Sequence, residues 1–147
     1  MGSPRQGHRL LQVAILQFIF AALVGLAIPL FKAPRLALSA HLIALLQGLF
    51  LIGLGILWPR LRITSGQSRF AFWLLVYQGI AAPISNLLAS VWGAGGSIVP
   101  MASGGAHGTA FQEVIVNVGL RTSGATLIIG LLFVAWGLRG LDSELSH

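Results

Sequence analysis

The chain has 147 residues, of which 56% are apolar and 8% charged. A soluble domain carries roughly 25% charged residues, so this composition cannot coat a surface for water and specifies an integral membrane protein. The formal charge of +6 is strung out between apolar runs, which excludes the clustered basic face of a nucleic-acid binder, and the lack of cysteine excludes disulfides and thiolate chemistry.

A membrane-crossing helix needs about 20 apolar residues. Four stretches meet that length, 10–31, 36–58, 70–92 and 111–138, and predict one all-α domain over 1–147, an integral membrane four-helix bundle. The first run is longer than the apolar core of a signal peptide and passes into PLFKAPR, so it reads as a retained span. Spans two and three are joined by WPRLRITSGQSR, and three and four by the Gly-rich WGAGGSIVPMASGGAHGT, which carries no Lys, Arg, Asp or Glu. Arg5, Arg9, Arg60, Arg62, Arg69 and Arg139 fall on one face of such a bundle, against Lys32 and Arg35 on the other. The positive-inside rule therefore places both termini in the cytoplasm, as in a multi-pass protein of the cell (inner) membrane. Trp58, Trp92 and Trp136 fall near span ends, where aromatic belts form.

Polar side chains in a span are costly and face a bundle interior or a cavity. Span one offers Gln12 and Gln17, read as packing contacts. Span two offers His41 and Gln47, span three Tyr77, Gln78, Ser85 and Asn86. His41, Gly48 and Gly55 recur every seven residues on one helix face, a stripe that admits a close neighbour, either a helix or a flat ligand. On span four, Glu113, Asn117 and Arg121 are spaced by four, so Asn117 could bridge the two charges. His107 sits in the Gly-rich connection, which could form a rim or lid.

No serine–histidine–acid spacing and no H-E-x-x-H motif is present. A neutral imidazole is a good haem ligand, and His41 is the one histidine well inside a span. One axial ligand would leave the other iron face open as a Lewis acid. The rival for His41 is a plain hydrogen bond to a neighbouring helix. For the Gly stripe it is helix packing, and for Glu113 it is structural glue or the titratable group of a proton-coupled carrier.

The blocks AHLIALLQGLFLIGLGILWPRLRI, FWLLVYQG, LLASVWGAGG, GGAHGTAFQE and WGLRG resemble, in that order, the hydroxylaminobenzene mutase family, a distant relative of the styrene oxide isomerases. The similarity runs from Ser39 to Gly140 and extends loosely into span one. It implies a small membrane isomerase of aromatic compound metabolism. Mutases of this kind move a hydroxyl from nitrogen to the ortho ring carbon, giving 2-aminophenol, while the isomerases open an aryl epoxide to an aldehyde. In the isomerase branch ferric haem b lies between subunits of a trimer, held by the histidine of a His-x5-Asn pattern. His41 matches that histidine as the metal ligand, and Gln47 stands where the asparagine would be. Tyr77 matches a mutase tyrosine. Ser85 or Asn86 stands nearest the isomerase's substrate tyrosine, and IAAP at 80–83 replaces a YANW-like mutase segment.

The resemblance thus implies haem b as cofactor, with His41, Gly48 and Gly55 at the cofactor and Gln47, Tyr77, Asn86 and Glu113 as the catalytic set. Phe72 and Trp73 would line an aryl pocket. The expected partners are a small aromatic substrate, membrane lipid and further copies of the chain. A small four-span carrier and a non-catalytic haem protein are the competing readings.

Overall fold

The computed structural model describes residues 2–139. Four long helices run α1 (Pro4–Ala27), α2 (Pro34–Leu57), α3 (Ser65–Trp92) and α5 (Ala110–Leu138), with a single turn, α4 (Pro100–Ser103), between the last two. No strand occurs among the described residues. All four long helices are long and apolar enough to cross a membrane.

Each helix begins where its chemistry allows. Proline stands at the start of α1 and α2, where its missing N–H would have no intrahelical partner in any case. Thr64 and Thr109 form reciprocal capping boxes with Gln67 and Gln112, so the first free N–H groups of α3 and α5 are satisfied. Gly93, at φ 70°, ends α3 in the left-handed conformation that costs other residues a steric penalty. These signals explain why α1 and α3 begin six and five residues before the apolar spans at 10 and 70. Hydropathy marks the part of a helix that needs lipid, and the helix itself runs on into its polar first turns.

The helices meet in the order α1–α2–α3–α5; α1 lies along α2, α3 along α5, and α2 joins the two pairs. One end of the bundle carries both ends of the described chain. There the Gly2 N–H donates to Leu61 O and the Arg62 N–H to Gly137 O, both at 3.0 Å. We call this the proximal end, and the end bearing the Gly-rich connection the distal end. A core of Leu10, Leu51, Leu54, Trp58, Phe72, Leu75 and Val134 fills the proximal half, and a smaller cluster around Leu36, Ala89 and Val116 lies under the distal connection.

Trp58 departs from the expected aromatic belt. It is fully buried, because Gln6 Oε1 and Ser68 Oγ both accept from its indole N–H at 3.2 Å. With two acceptors inside the bundle, the indole does not need the interface. Trp136 keeps the belt character, exposed with the Arg139 guanidinium 5.0 Å from its ring. Phe72 packs edge-on against Trp58 in the core, while Trp73 is exposed. Gln12 also faces outward, and only Gln17 is packed.

Candidate functional site

His41 lies about two turns into α2 and faces α1. Its Nδ1 is 2.7 Å from the Ala21 carbonyl. A carbonyl only accepts, so Nδ1 carries the proton and Nε2 carries the lone pair. Gly25 makes room for the ring, since a Cβ there would lie 2.8 Å from Nδ1. Among the described residues Nε2 has no partner, yet no buried polar side-chain atom there is left unsatisfied. Nε2 therefore opens onto the surface of the chain. A backbone acceptor that fixes Nδ1–H and leaves Nε2 free is the arrangement that orients metal-bound histidines.

Gly48 and Gly55 share the face of His41, but α1 already occupies it. A Cβ on Gly48 would meet the Phe18 ring at 3.0 Å, and one on Gly55 would meet Leu11 at 2.8 Å and the Gly7 carbonyl at 2.9 Å. The stripe seats a helix of the same chain. Gly25, on the opposite helix, is the glycine that shapes the histidine site.

Gln47 and Gln78 join α2 to α3 by a reciprocal amide pair, Gln47 Nε2 to Gln78 Oε1 at 2.6 Å and the return bond at 2.9 Å. One residue further along α3, Gly79 has a carbonyl whose natural helical donor would be the N–H of residue 83, which is proline. In lipid such a freed carbonyl must find another donor. Gln17 supplies it from α1 through its Nε2. The signal for Gln17 was Pro83 four residues past Gly79, and it becomes legible only once α1 is known to pass there.

Tyr77 faces the α3–α5 seam, with its hydroxyl 2.8 Å from Thr122 Oγ1. Thr122 spends its one proton on the Val118 carbonyl at 2.7 Å, so Tyr77 is the donor between them and its own oxygen keeps a free lone pair. Beside this pair lies a groove of about 550 Å³, lined by Tyr77, Ile80, Ile84, Ser85, Val118 and Gly119 among others. Its lining is almost wholly apolar, suited to an aryl ring. Gly119 draws α5 close, and a Cβ on it would collide with Ser85 Oγ. Asn86, two turns beyond Tyr77, is buried with its amide on the Ala82 carbonyl at 3.0 Å.

Glu113 turns away from Asn117 and Arg121. Its carboxylate accepts from Gly95 N–H (2.9 Å), Gly108 N–H (3.1 Å), Ser97 Oγ (2.9 Å) and, more weakly, the N–H groups of Gly96 and Ser97 (3.4 Å each). Successive backbone N–H groups of this kind form a concave anion nest, and here the anion is part of the protein. The four-residue ladder along α5 is therefore absent. A loop that brings five donors outcompetes one amide a turn away. His107 is exposed in the same connection, with its ring against Gly96.

The expected site residues thus occupy four places: His41 between α1 and α2, Gln47 with Gln78 between α2 and α3, Tyr77 and Asn86 on α3, and Glu113 under the distal connection. Thr122, Gln78, Gln17 and Gly25 complete those places.

Four membrane-crossing helices, a histidine with an open Nε2 at the α1–α2 seam and an apolar groove at the α3–α5 seam define a small integral membrane protein with polar groups placed inside its spans. Residues 6–139 match the styrene oxide isomerase family. The chain is 40% identical to hydroxylaminobenzene mutase HabB of Ectopseudomonas oleovorans over 137 residues, 93% of this chain and 84% of that one. It is 35% identical to hydroxylaminobenzene mutase HabA of the same organism over 100 residues, 68% of this chain and 74% of that one. No solved structure matches it. The chain belongs to the styrene oxide isomerase family and is an isomerase.

Proposed function

We propose that the protein is an intramolecular mutase of small aromatic substrates that rearranges aryl hydroxylamines to 2-aminophenols, with haem b held by His41. The likeness to two hydroxylaminobenzene mutases supports the substrate class. The observation that carries the cofactor reading is His41, with its proton fixed on Nδ1 by Ala21 and its Nε2 lone pair open to the surface.

The residues fit a porphyrin better than a bare ion. Among the described residues no three His, Cys, Asp or Glu side chains gather in one place. A haem iron already has four pyrrole nitrogens and needs only one imidazole. Leu38 and Leu42, exposed on α2 on either side of His41, offer apolar surface to a macrocycle. When bound, ferric haem supplies a Lewis acid for the substrate's oxygen.

The chain's own groups do the rest. The apolar α3–α5 groove takes the ring. Tyr77, its proton committed to Thr122, accepts a hydrogen bond from the substrate's N–H or O–H. The Gln47–Gln78 pair holds α2 and α3 in register with fixed dipoles. The reaction balances without a redox partner, because the N–O bond breaks, a C–O bond forms at the ortho carbon, the ring loses a proton and the nitrogen gains one. Opening an aryl epoxide to an aldehyde is the second reading, favoured by the family match over 6–139.

The cationic residues of the proximal end support cytoplasmic termini in the cell membrane, and a trimer would let a partner subunit cover the open Nε2. The test is an absorption spectrum of detergent-purified protein loaded with haem, beside His41→Ala, followed by product analysis with hydroxylaminobenzene and with styrene oxide. Loss of the Soret band and of turnover in the variant is expected. Full haem uptake and full activity in His41→Ala would sink the assignment.

A further inference from the structure

Nine Lys and Arg residues occur in the chain. Six sit at the proximal end and Lys32 and Arg35 at the distal end. The ninth, Arg121, is the exception, lying eleven residues into α5 on an exposed face. That is about 16 Å of helix rise from the start of α5. The 29 residues of α5 span about 43 Å against a hydrocarbon core of about 30 Å. With the surplus shared between the two ends, Arg121 sits about 10 Å inside the hydrocarbon.

A guanidinium at that depth requires a counter-charge or a set of acceptors, and the protein does not supply the charge. The sequence contains three acidic residues, Glu113, Asp142 and Glu144. Glu113 is saturated by the distal loop, and Asp142 and Glu144 follow the opposite end of α5 in the sequence. A second copy packed on this face would bring the same three and no others. Among the described residues Arg121 has no ion pair or hydrogen bond, and neither does the side chain of Asn117 one turn before it. Apart from Glu113, Arg121 is the one charged residue of α5. Asn117 and Arg121 are four residues apart on one side of α5, close enough for both to reach a single bound group.

We propose that Arg121 and Asn117 form an oxyanion-binding site within the membrane, taking a carboxylate or phosphate that the protein does not itself contain. The guanidinium fork matches two oxygens of such a group, and the Asn117 amide adds a third donor. Two sources carry this chemistry, the carboxylates of the haem cofactor and the phosphate of an anionic lipid. The first rests on the cofactor reading above, and the second is independent of it.

The experiment compares wild type, Arg121→Gln and Arg121→Lys, with circular dichroism and gel filtration confirming that each is folded. Haem and its dimethyl ester, which lacks the free carboxylates, are titrated by absorbance. Retention of phosphatidylglycerol over phosphatidylcholine after purification from mixed vesicles is read by native mass spectrometry. Charge-assisted hydrogen bonds predict a preference of roughly tenfold or more in the wild type, lost in Arg121→Gln and partly kept in Arg121→Lys. Loss of the preference for haem over its ester identifies the cofactor as the source. Loss of lipid selectivity alone identifies the headgroup. A wild type that takes up no haem refutes the cofactor reading and leaves the lipid arm to decide. A folded Arg121→Gln that matches wild type for every ligand that binds overturns the site.

Discussion

The two long seams of the bundle solve the same packing problem by different means. Between α1 and α2 the approach is backbone against backbone, for a Cβ on Gly7 would lie 2.6 Å from the Gly55 carbonyl. Between α3 and α5 the closest approach is a hydroxyl against a missing side chain, Ser85 Oγ over Gly119, and the seam opens into the groove beside Tyr77. The first seam is filled where its glycines lie, with the Phe18 ring over Gly48, Leu11 over Gly55 and the His41 ring over Gly25. The second is held by side-chain hydroxyls and leaves room. The lesson is that a membrane bundle can keep a rigid half and a receptive half by choosing what its glycines face.

Substitutions break that contrast in graded ways. Gly7→Ala should have the largest effect, a destabilisation of about 1–3 kcal/mol by overpacking. No single side-chain truncation across the seam should restore it, because the obstacle is the Gly55 carbonyl. Thermal unfolding in detergent, alone and with Pro59→Ala, whose ring is the removable side chain facing Gly7, reads this; full recovery in the double variant would contradict it. Gln17→Leu should cost about 1–2 kcal/mol by stranding the Gly79 carbonyl. In a Pro83→Ala background that carbonyl regains its helical donor, so the cost of Gln17→Leu should shrink. A double-mutant cycle on unfolding free energies measures the coupling, and strict additivity would mean that Gln17 does not serve that carbonyl. The smallest effect belongs to Gly119→Ala. It should lower the melting temperature in the wild type and be largely relieved by Ser85→Ala, since the hydroxyl is the obstacle.

The fold was largely legible in the sequence because hydrocarbon length is a strict constraint and the chain obeys it four times. Helix starts at Pro4 and Ser65 were less so, since polar first turns carry no hydropathy signal. The Gly48 and Gly55 stripe was visible, but which partner filled it depended on where α1 lay. Glu113 shows the same limit more sharply. Its spacing to Asn117 and Arg121 was real, and the carboxylate still went to a loop whose donors have no sequence pattern until Gly93 and Gly95 turn the chain. Trp58 was misplaced for a related reason, because burial of an indole depends on Gln6 and Ser68, which are remote from it in sequence. His41 was recognisable as a residue, while its tautomer, the feature that makes Nε2 a ligand, waited on the Ala21 carbonyl.

The groove between α3 and α5 lies in the distal half of the spans, where residues 77–85 face 114–119 and its apolar lining runs into the hydrocarbon. Its mouth is therefore bathed in acyl chains, and an apolar ligand arrives by partitioning out of lipid, with the bilayer as its reservoir. For such a site the concentration that governs occupancy is that in the membrane phase. An apparent KM expressed per litre of buffer then contains a partition coefficient, and should fall as ligands become more oil-soluble even when their contacts with the protein are unchanged.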